Sequence, residues 1–271
     1  MEIPEEIVNR KGARKPADVP KEVLELLHQA KLETVNLSEW LAVDQRQIFE
    51  YLAHELKLAT TISDEVFSIL DEEKKPSSNT FSRLIGQTLE KVSDDALEVQ
   101  SALTRLPSDV ARCWAAHMVG VRPLSIPEKL DAIKPYAADT HFGVREISFM
   151  AVKKDIAENV DAAIQHLIPW TQEQDSNVRR FAVEATRPIG VWTNKIDELK
   201  CNPGKAVDLL EPLRSDPAKY VQDAVANWLN DASKSRPEWV QELCDRWSKE
   251  SDTKETSYIL KRALRTINKK V

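Results

Sequence analysis

The sequence predicts an all-α fold built as an α-solenoid, a stack of helix pairs. Two observations predict it. Phe142-Gly-Val-Arg-Glu-Ile, Ser176-Asn-Val-Arg-Arg-Phe and Lys219-Tyr-Val-Gln-Asp-Ala repeat one pattern, with Val144, Val178 and Val221 spaced 34 and 43 residues apart. Val110, in Ser108-Asp-Val-Ala-Arg-Cys-Trp, lies another 34 upstream, and Tyr258-Ile-Leu-Lys-Arg-Ala, 38 after Tyr220, reads as a fifth copy. Helical units of that period cannot bury their apolar faces singly, so they stack. The second observation is periodicity. Apolar residues recur at helical spacing and never at sustained strand alternation. With only 6 glycines in 271 residues, a fold of many tight turns is excluded. The concave face of such a stack would carry Arg145, Glu146, Arg179, Arg180 and Asp223.

The elements follow in order. Residues 1–20 read as an extended basic lead containing Arg10-Lys-Gly-Ala-Arg-Lys, and residues 21–271 as a single repeat domain. A helix begins near Lys21, with Val23, Leu24, Leu27 and Ala30 on one face. Another runs from Ser38, with Leu41, Ile48, Tyr51, Leu52 and Leu56 at helical spacing. The polar stretch 71–79 reads as an exposed connection. Beyond Phe81, helices restart after Leu106-Pro, Ser125-Ile-Pro, Ser215-Asp-Pro and Ser235-Arg-Pro. There a polar side chain can cap a free N–H, and proline fits the first turn.

Bulk properties bound the function. Apolar residues make up 42% and charged residues 30%, as in soluble globular proteins. No run of 18 apolar residues exists, so no membrane helix is expected, and the N-terminus lacks a signal-peptide layout. Cys113, Cys201 and Cys244 are odd in number and far apart, which suggests a reducing cytosol. The histidines have no metal-ligand spacing, so no metal and no cofactor are expected. Net charge is −6, but residues 33–73 hold ten acidic and two basic side chains, which leaves the rest of the chain free to meet a polyanion. Nucleophile-elbow, phosphate-loop and zinc-protease motifs are missing. An enzyme here must use carboxylate, aromatic and arginine chemistry.

Three segments carry that chemistry. In the first, Phe142 and Glu146 share a helix face at i, i+4, beside Arg145. A carboxylate next to an aromatic ring can stabilise a developing cation or orient a water. The alternative is a solvated glutamate paired with a base. In the second, Arg179, Arg180 and Arg187 fall within nine residues, before Trp192. They can hold phosphates through guanidinium forks, or form an exposed helix with an Arg180–Glu184 pair. In the third, Asp223, Asn227, Asn230, Asp231 and Lys234 line a polar stripe. Trp228 sits at the edge of the apolar one, in the core or facing a ligand, and Trp114 has the same ambiguity.

These phrases, together with Asn177-Val-Arg-Arg-Phe-Ala-Val-Glu-Ala-Thr-Arg-Pro and Tyr220-Val-Gln-Asp-Ala-Val-Ala-Asn-Trp-Leu-Asn-Asp-Ala-Ser-Lys, resemble the bacterial DNA alkylation repair family. This is the family of AlkC- and AlkD-type HEAT-like-repeat glycosylases, and the likeness is strongest to the AlkC branch. The resemblance implies a HEAT-like solenoid that hydrolyses the N-glycosidic bond of cationic N3- and N7-alkylated purines. It would act on double-stranded DNA in the bacterial cytosol, at the nucleoid, as a monomer without metal or cofactor. It implies Glu146 as the catalytic carboxylate and Phe142 and Trp228 as aromatic contacts to the lesion. Arg145, Arg179, Arg180, Arg187 and Lys234 would bind DNA, with Glu184, Trp192, Asp231 and Trp114 as secondary candidates. Phe142 stands where the AlkD branch has tryptophan, and Glu146 where it has aspartate. The alternatives are a non-catalytic repeat protein that binds damaged or branched DNA, and a protein-interaction scaffold.

Overall fold

The structure, a computed structural model, describes residues 3–74, 77–190 and 193–269. Among the described residues it contains helices, short 3-10 turns and loops, and no strand. None of these helices is long and apolar enough to cross a membrane. The chain divides into two compact units. Residues 1–122 and 141–151 form the first, and residues 123–140 and 152–271 the second.

The repeat anchors are core residues. Val110, Val144 and Val221 are 0% exposed and Val178 is 4%. In the fifth copy the aligned position is Ile259, also fully buried. Each anchor sits in the first turns of a helix: Asp109–Val121, Phe142–Glu158, Ser176–Ala185, Lys219–Ala232 and Lys254–Ala263. Polar caps start several of them. Ser108 accepts the Ala111 N–H, Asp175 the Asn177 N–H and Thr253 the Thr256 N–H. The Ser125-Ile-Pro signal starts the helix Ile126–Ala137, where the Ser125 N–H donates to Glu128 at 3.0 Å. The serine hydroxyl, which donates to the same carboxylate, and secondarily that N–H bond hold the Glu128 carboxyl below its usual pKa.

In the first unit, helices approach closely at glycines. A Cβ on Gly86 would lie 2.4 Å from the Trp114 carbonyl oxygen, and one on Gly120 would lie 2.5 Å from that of Ala151. The absence of a side chain lets backbone meet backbone there. Trp114 is fully buried, packs edge-on to Phe49, and donates its indole N–H to Gln45 at 2.9 Å.

Two expectations change in this unit. The helix expected from Ser38 is two helices, Leu37–Ala42 and Gln45–Glu55. Asp44 ends the run, because its carboxylate accepts the Arg46 N–H at 2.9 Å and starts the second helix afresh. Leu41 is consequently 53% exposed, whereas Ile48 and Leu52 are buried. The lead is not wholly extended either. It holds a helix at Glu5–Val8 and a 3-10 turn at Pro16–Asp18. Arg10 turns inward, 2.6 Å from the fully buried Glu39, and donates to the carbonyls of Ile7 and Glu33. Glu39 also accepts the Val35 N–H.

The acidic stretch 33–73 is partly neutralised within the same unit. Glu33 pairs with Arg112, Glu39 with Arg10 and Asp71 with Arg46. The expected connection 71–79 is shorter: residues 71 and 72 end helix Thr60–Glu72, and residues 78 and 79 begin helix Ser78–Val92, which packs against it. Residues 75 and 76 of that connection lie outside the described residues.

Removing one partner of a buried ion pair leaves the other charge uncompensated, at a cost of about 3–5 kcal/mol. Arg10→Met should therefore lower the unfolding free energy by about that amount. Truncating the exposed Lys11 should shift it by less than about 0.5 kcal/mol. Urea unfolding of the two variants beside the wild type checks this.

Candidate functional site

In the first unit, the helix Phe142–Glu158 begins on His141, whose Nδ1 accepts the Gly143 N–H at 3.2 Å. Val144 and Ile147 turn into the core. Phe142 and Glu146, one turn apart, stand on the other side of the helix. Phe142 is 40% exposed, among the most exposed large apolar side chains described. Glu146 and the neighbouring Arg145 are half-buried. The structure thus keeps an aromatic ring and a carboxylate together on one accessible stripe. Trp114 lies in the core of the same unit.

The second unit treats its arginines differently. Arg179 donates two bonds to Asp216, at 2.6 and 3.0 Å, and two more to the carbonyls of Glu173 and Gln174. The Asp216 bonds raise its pKa. Arg187 is buried and donates from Nε and Nη2 to Asp231 and from Nη1 to Glu184. Burial opposes its charge, and Glu184 and Asp231 outweigh that, so its pKa is raised. Burial likewise opposes ionisation of Asp231, and Arg187 and Lys234 reverse the balance, so its carboxyl is lowered.

The guanidinium forks of Arg179 and Arg187 are therefore filled from inside the protein, and the phosphate-holding role expected of them is not open to those atoms. The reason is tertiary. Asp216 and Asp231 lie 37 and 44 residues away from them, beyond any helical-neighbour rule, and only Glu184 is a local partner, of Arg187. Trp228 is also a core residue. It is 0% exposed and donates its indole N–H to the Thr186 carbonyl at 3.0 Å. Its neighbour Trp239 lies 6.3 Å away, ring to ring. Glu184 and Asp231 are buried as partners of arginine. Lys234 reaches Asp231 at 2.9 Å yet stays 45% exposed along its side chain. Trp192 lies outside the described residues.

Arg180 is as buried as Arg187, each 9% exposed, so the phosphate-holding role expected of it is not open either. Its guanidinium carbon stands 4.2 Å over the Tyr220 ring, with Glu184 3.8 Å from it. The same arrangement recurs where the next helices pack together. Lys219 Nζ lies 3.3 Å over the Tyr258 ring, Arg262 lies 5.5 Å over it, and the Tyr258 hydroxyl donates to Asp223 at 2.6 Å. Lys219 and Arg262 are exposed. Sequence reasoning missed this cation–tyrosine series. Its signal was the repeat alignment itself, which places Tyr220 and Tyr258 at equivalent positions. Also missed were Thr34, Asp109 and His141, which meet in the first unit from three distant segments.

Lys153 is a buried cation that the sequence did not single out. Its Nζ donates to the carbonyls of Ala185 and Arg187, at 2.9 and 2.8 Å, where the helix Ser176–Ala185 ends. Among the described residues no group of three or more His, Cys, Asp or Glu side chains is placed to hold a metal.

The fold defines an all-α helical-repeat protein, with its accessible carboxylate one turn from an aromatic ring. Residues 132–267 match the family described as DNA alkylation repair enzyme, and the chain belongs to that family. It is 30% identical over 170 residues to the uncharacterized protein YhaZ of Bacillus subtilis, covering 59% of this chain and 46% of that one. Among solved structures it resembles the alkylpurine DNA glycosylase AlkC of Pseudomonas fluorescens, bound to DNA containing an abasic-site analogue. The TM-score is 0.62 at 23% identity, over 76% of this chain and 56% of that one. AlkD2 of Streptococcus mutans matches with a TM-score of 0.58 at 21% identity, over 75% of this chain and 97% of that one. The chain thus spans about half the length of YhaZ and of AlkC. The solved structures bear out the HEAT-like helical-repeat fold.

Lys153 yields a pH test. Burial lowers its pKa from 10.5 to about 7, Glu184 and Asp231 resisting the shift and Arg187 adding to it. Between those values the unfolded chain binds the proton that the folded chain has released, so stability rises with pH. The rise is complete above the unfolded value and absent below pH 7 or so. The stability difference between wild type and Lys153→Met should therefore grow in favour of wild type from pH 7 to pH 10. Urea midpoints across that range should diverge. Parallel curves would mean that Lys153 keeps its proton.

Proposed function

We propose that this chain is an alkylpurine DNA glycosylase, hydrolysing the N-glycosidic bond of cationic N3- and N7-alkylated purines in duplex DNA. The observation that carries this reading is the accessible Phe142–Glu146 pair in a chain of the DNA alkylation repair family.

The chemistry follows from the substrate. Alkylation at N3 or N7 gives the purine a positive charge, and the C1′–N bond breaks with its electron pair leaving on a base that becomes neutral. No strong general acid is required. What remains is an oxocarbenium-like sugar and an incoming water. The Glu146 carboxylate opposes the developing positive charge and accepts a proton from the water as its oxygen bonds to C1′, the role of the second carboxylate in glycoside hydrolysis. The Phe142 face attracts the cationic base, a cation–π contact of roughly 0.5–2 kcal/mol. Arg145 supplies a cation beside the pair in the first unit, and within the second unit Lys219, Lys234 and Arg262 are cations that a phosphate backbone can reach. Arg179 and Arg187 support the fold beneath them, Trp228 packs the core, and Phe142 serves as the aromatic contact. With the base recognised through its charge, selectivity rests on the lability of the lesion's own bond.

The test is release of 3-methyladenine and 7-methylguanine from methylated duplex DNA. Glu146→Gln should lower the single-turnover rate by about 100-fold or more, with DNA affinity nearly unchanged. DNA binding with no release by either protein would make the chain a damage binder. Equal release by both would move the catalytic role off Glu146.

A further inference from the structure

We propose that His141 is a positioning residue for excision, clamping the Phe142 ring as the platform on which the cationic base stacks. This rests on the glycosylase reading above.

Three segments of the first unit converge on the imidazole. Its Nε2 lies 2.6 Å from the Thr34 carbonyl oxygen, which fixes one edge of the ring. On the other edge, Nδ1 accepts the Gly143 N–H and lies 3.5 Å from Asp109 Oδ2. Asp109 is itself fully buried and accepts both the Thr34 N–H, at 2.9 Å, and the Thr34 hydroxyl, at 2.7 Å. Burial pushes the Asp109 carboxyl up, and His141 and Thr34 oppose that shift. With both nitrogens held, the imidazole presents its face to Phe142, the ring centroids 4.6 Å apart at 36°.

Helix capping alone does not call for this residue. Equivalent helices in other repeats are capped by an oxygen, from Ser108 and from Asp175. Either would satisfy the Gly143 N–H. A ring adds one thing that an oxygen cannot, a flat surface that restrains the next side chain. His141 is 7% exposed and Phe142 40%, so the anchored ring lies inside and the platform ring outside. A phenylalanine at an exposed helix start would otherwise sample several rotamers, and each immobilised side chain is worth about two- to tenfold in affinity.

The experiment uses duplex DNA carrying one 7-methylguanine, with single-turnover release and affinity measured on the full chain. His141→Gln keeps hydrogen-bonding capacity and loses the ring. It should slow release about two- to tenfold. His141→Phe keeps the ring without its anchoring nitrogens and should lose less of the rate than His141→Gln, even where its melting temperature falls. On a Phe142→Ala background His141→Gln should have no further effect, because its action runs through Phe142. Multiplicative losses in the double variant, or equal impairment by Gln and Phe, would overturn the proposal. Thermal melts identify which variants are folded, and His141→Asn is the second ringless variant should His141→Gln fail to fold. If the wild type releases no base, the glycosylase reading fails. The same variants are then compared in their preference for methylated over unmethylated duplex, and a wild type without preference overturns the platform as well.

Discussion

Helix pairs of a repeat protein meet through apolar stripes, and an apolar stripe tolerates sliding. What removes that freedom here is a set of buried carboxylates that bind across helical repeats. In the first unit, Asp109, at the start of one repeat helix, takes two hydrogen bonds from Thr34 and faces His141, which starts the next. In the second, Asp216 takes the fork of Arg179, and Asp231 takes that of Arg187 together with the Gly190 N–H. Each is a carboxyl group out of water, costly to bury unless it is hydrogen-bonded. A shift of one helix would leave a buried charge unpaired, so these contacts hold the register that the valine anchors permit.

That constraint governs which residues are left to meet a ligand. Arg179 and Arg187, the most suggestive cations in the chain, are committed to register. Arg180, as buried as Arg187, is stacked on Tyr220, whereas the exposed Lys219 and Arg262 flank Tyr258. A cation held over a tyrosine face keeps its charge while its stem is ordered. In the first unit the same economy applies to aromatic groups. Trp114 fills the core and Phe142 stays outside, with His141 behind it.

The parts of the fold that were legible in the sequence were those encoded locally. Val110, Val144, Val178 and Val221 were aligned from spacing alone, and all four are buried. The Ser-Ile-Pro signal at 125 marked a real helix start. The break between Leu37–Ala42 and Gln45–Glu55 was missed because the apolar spacing runs through it, and only the Asp44 cap interrupts it. Phe142 and Glu146 were legible because a helical i, i+4 relation is local and their shared face follows from it. The fates of Trp228 and of the arginines were not. A tryptophan at the edge of an apolar stripe and an arginine on a polar one read the same whether water, DNA or a distant carboxylate receives them.

Local periodicity is enough to dictate an all-α repeat fold, the starts of its helices and the pairing of an aromatic residue with a carboxylate one turn apart. These depend on residues within a few positions of one another. Long-range packing alone selects which charges are consumed inside and which remain outside. Arg179 with Asp216, Arg187 with Asp231, and His141 with Asp109 and Thr34 are separated along the chain by several helices. Their free energy comes from burial and hydrogen bonding that exist only once the helices have stacked.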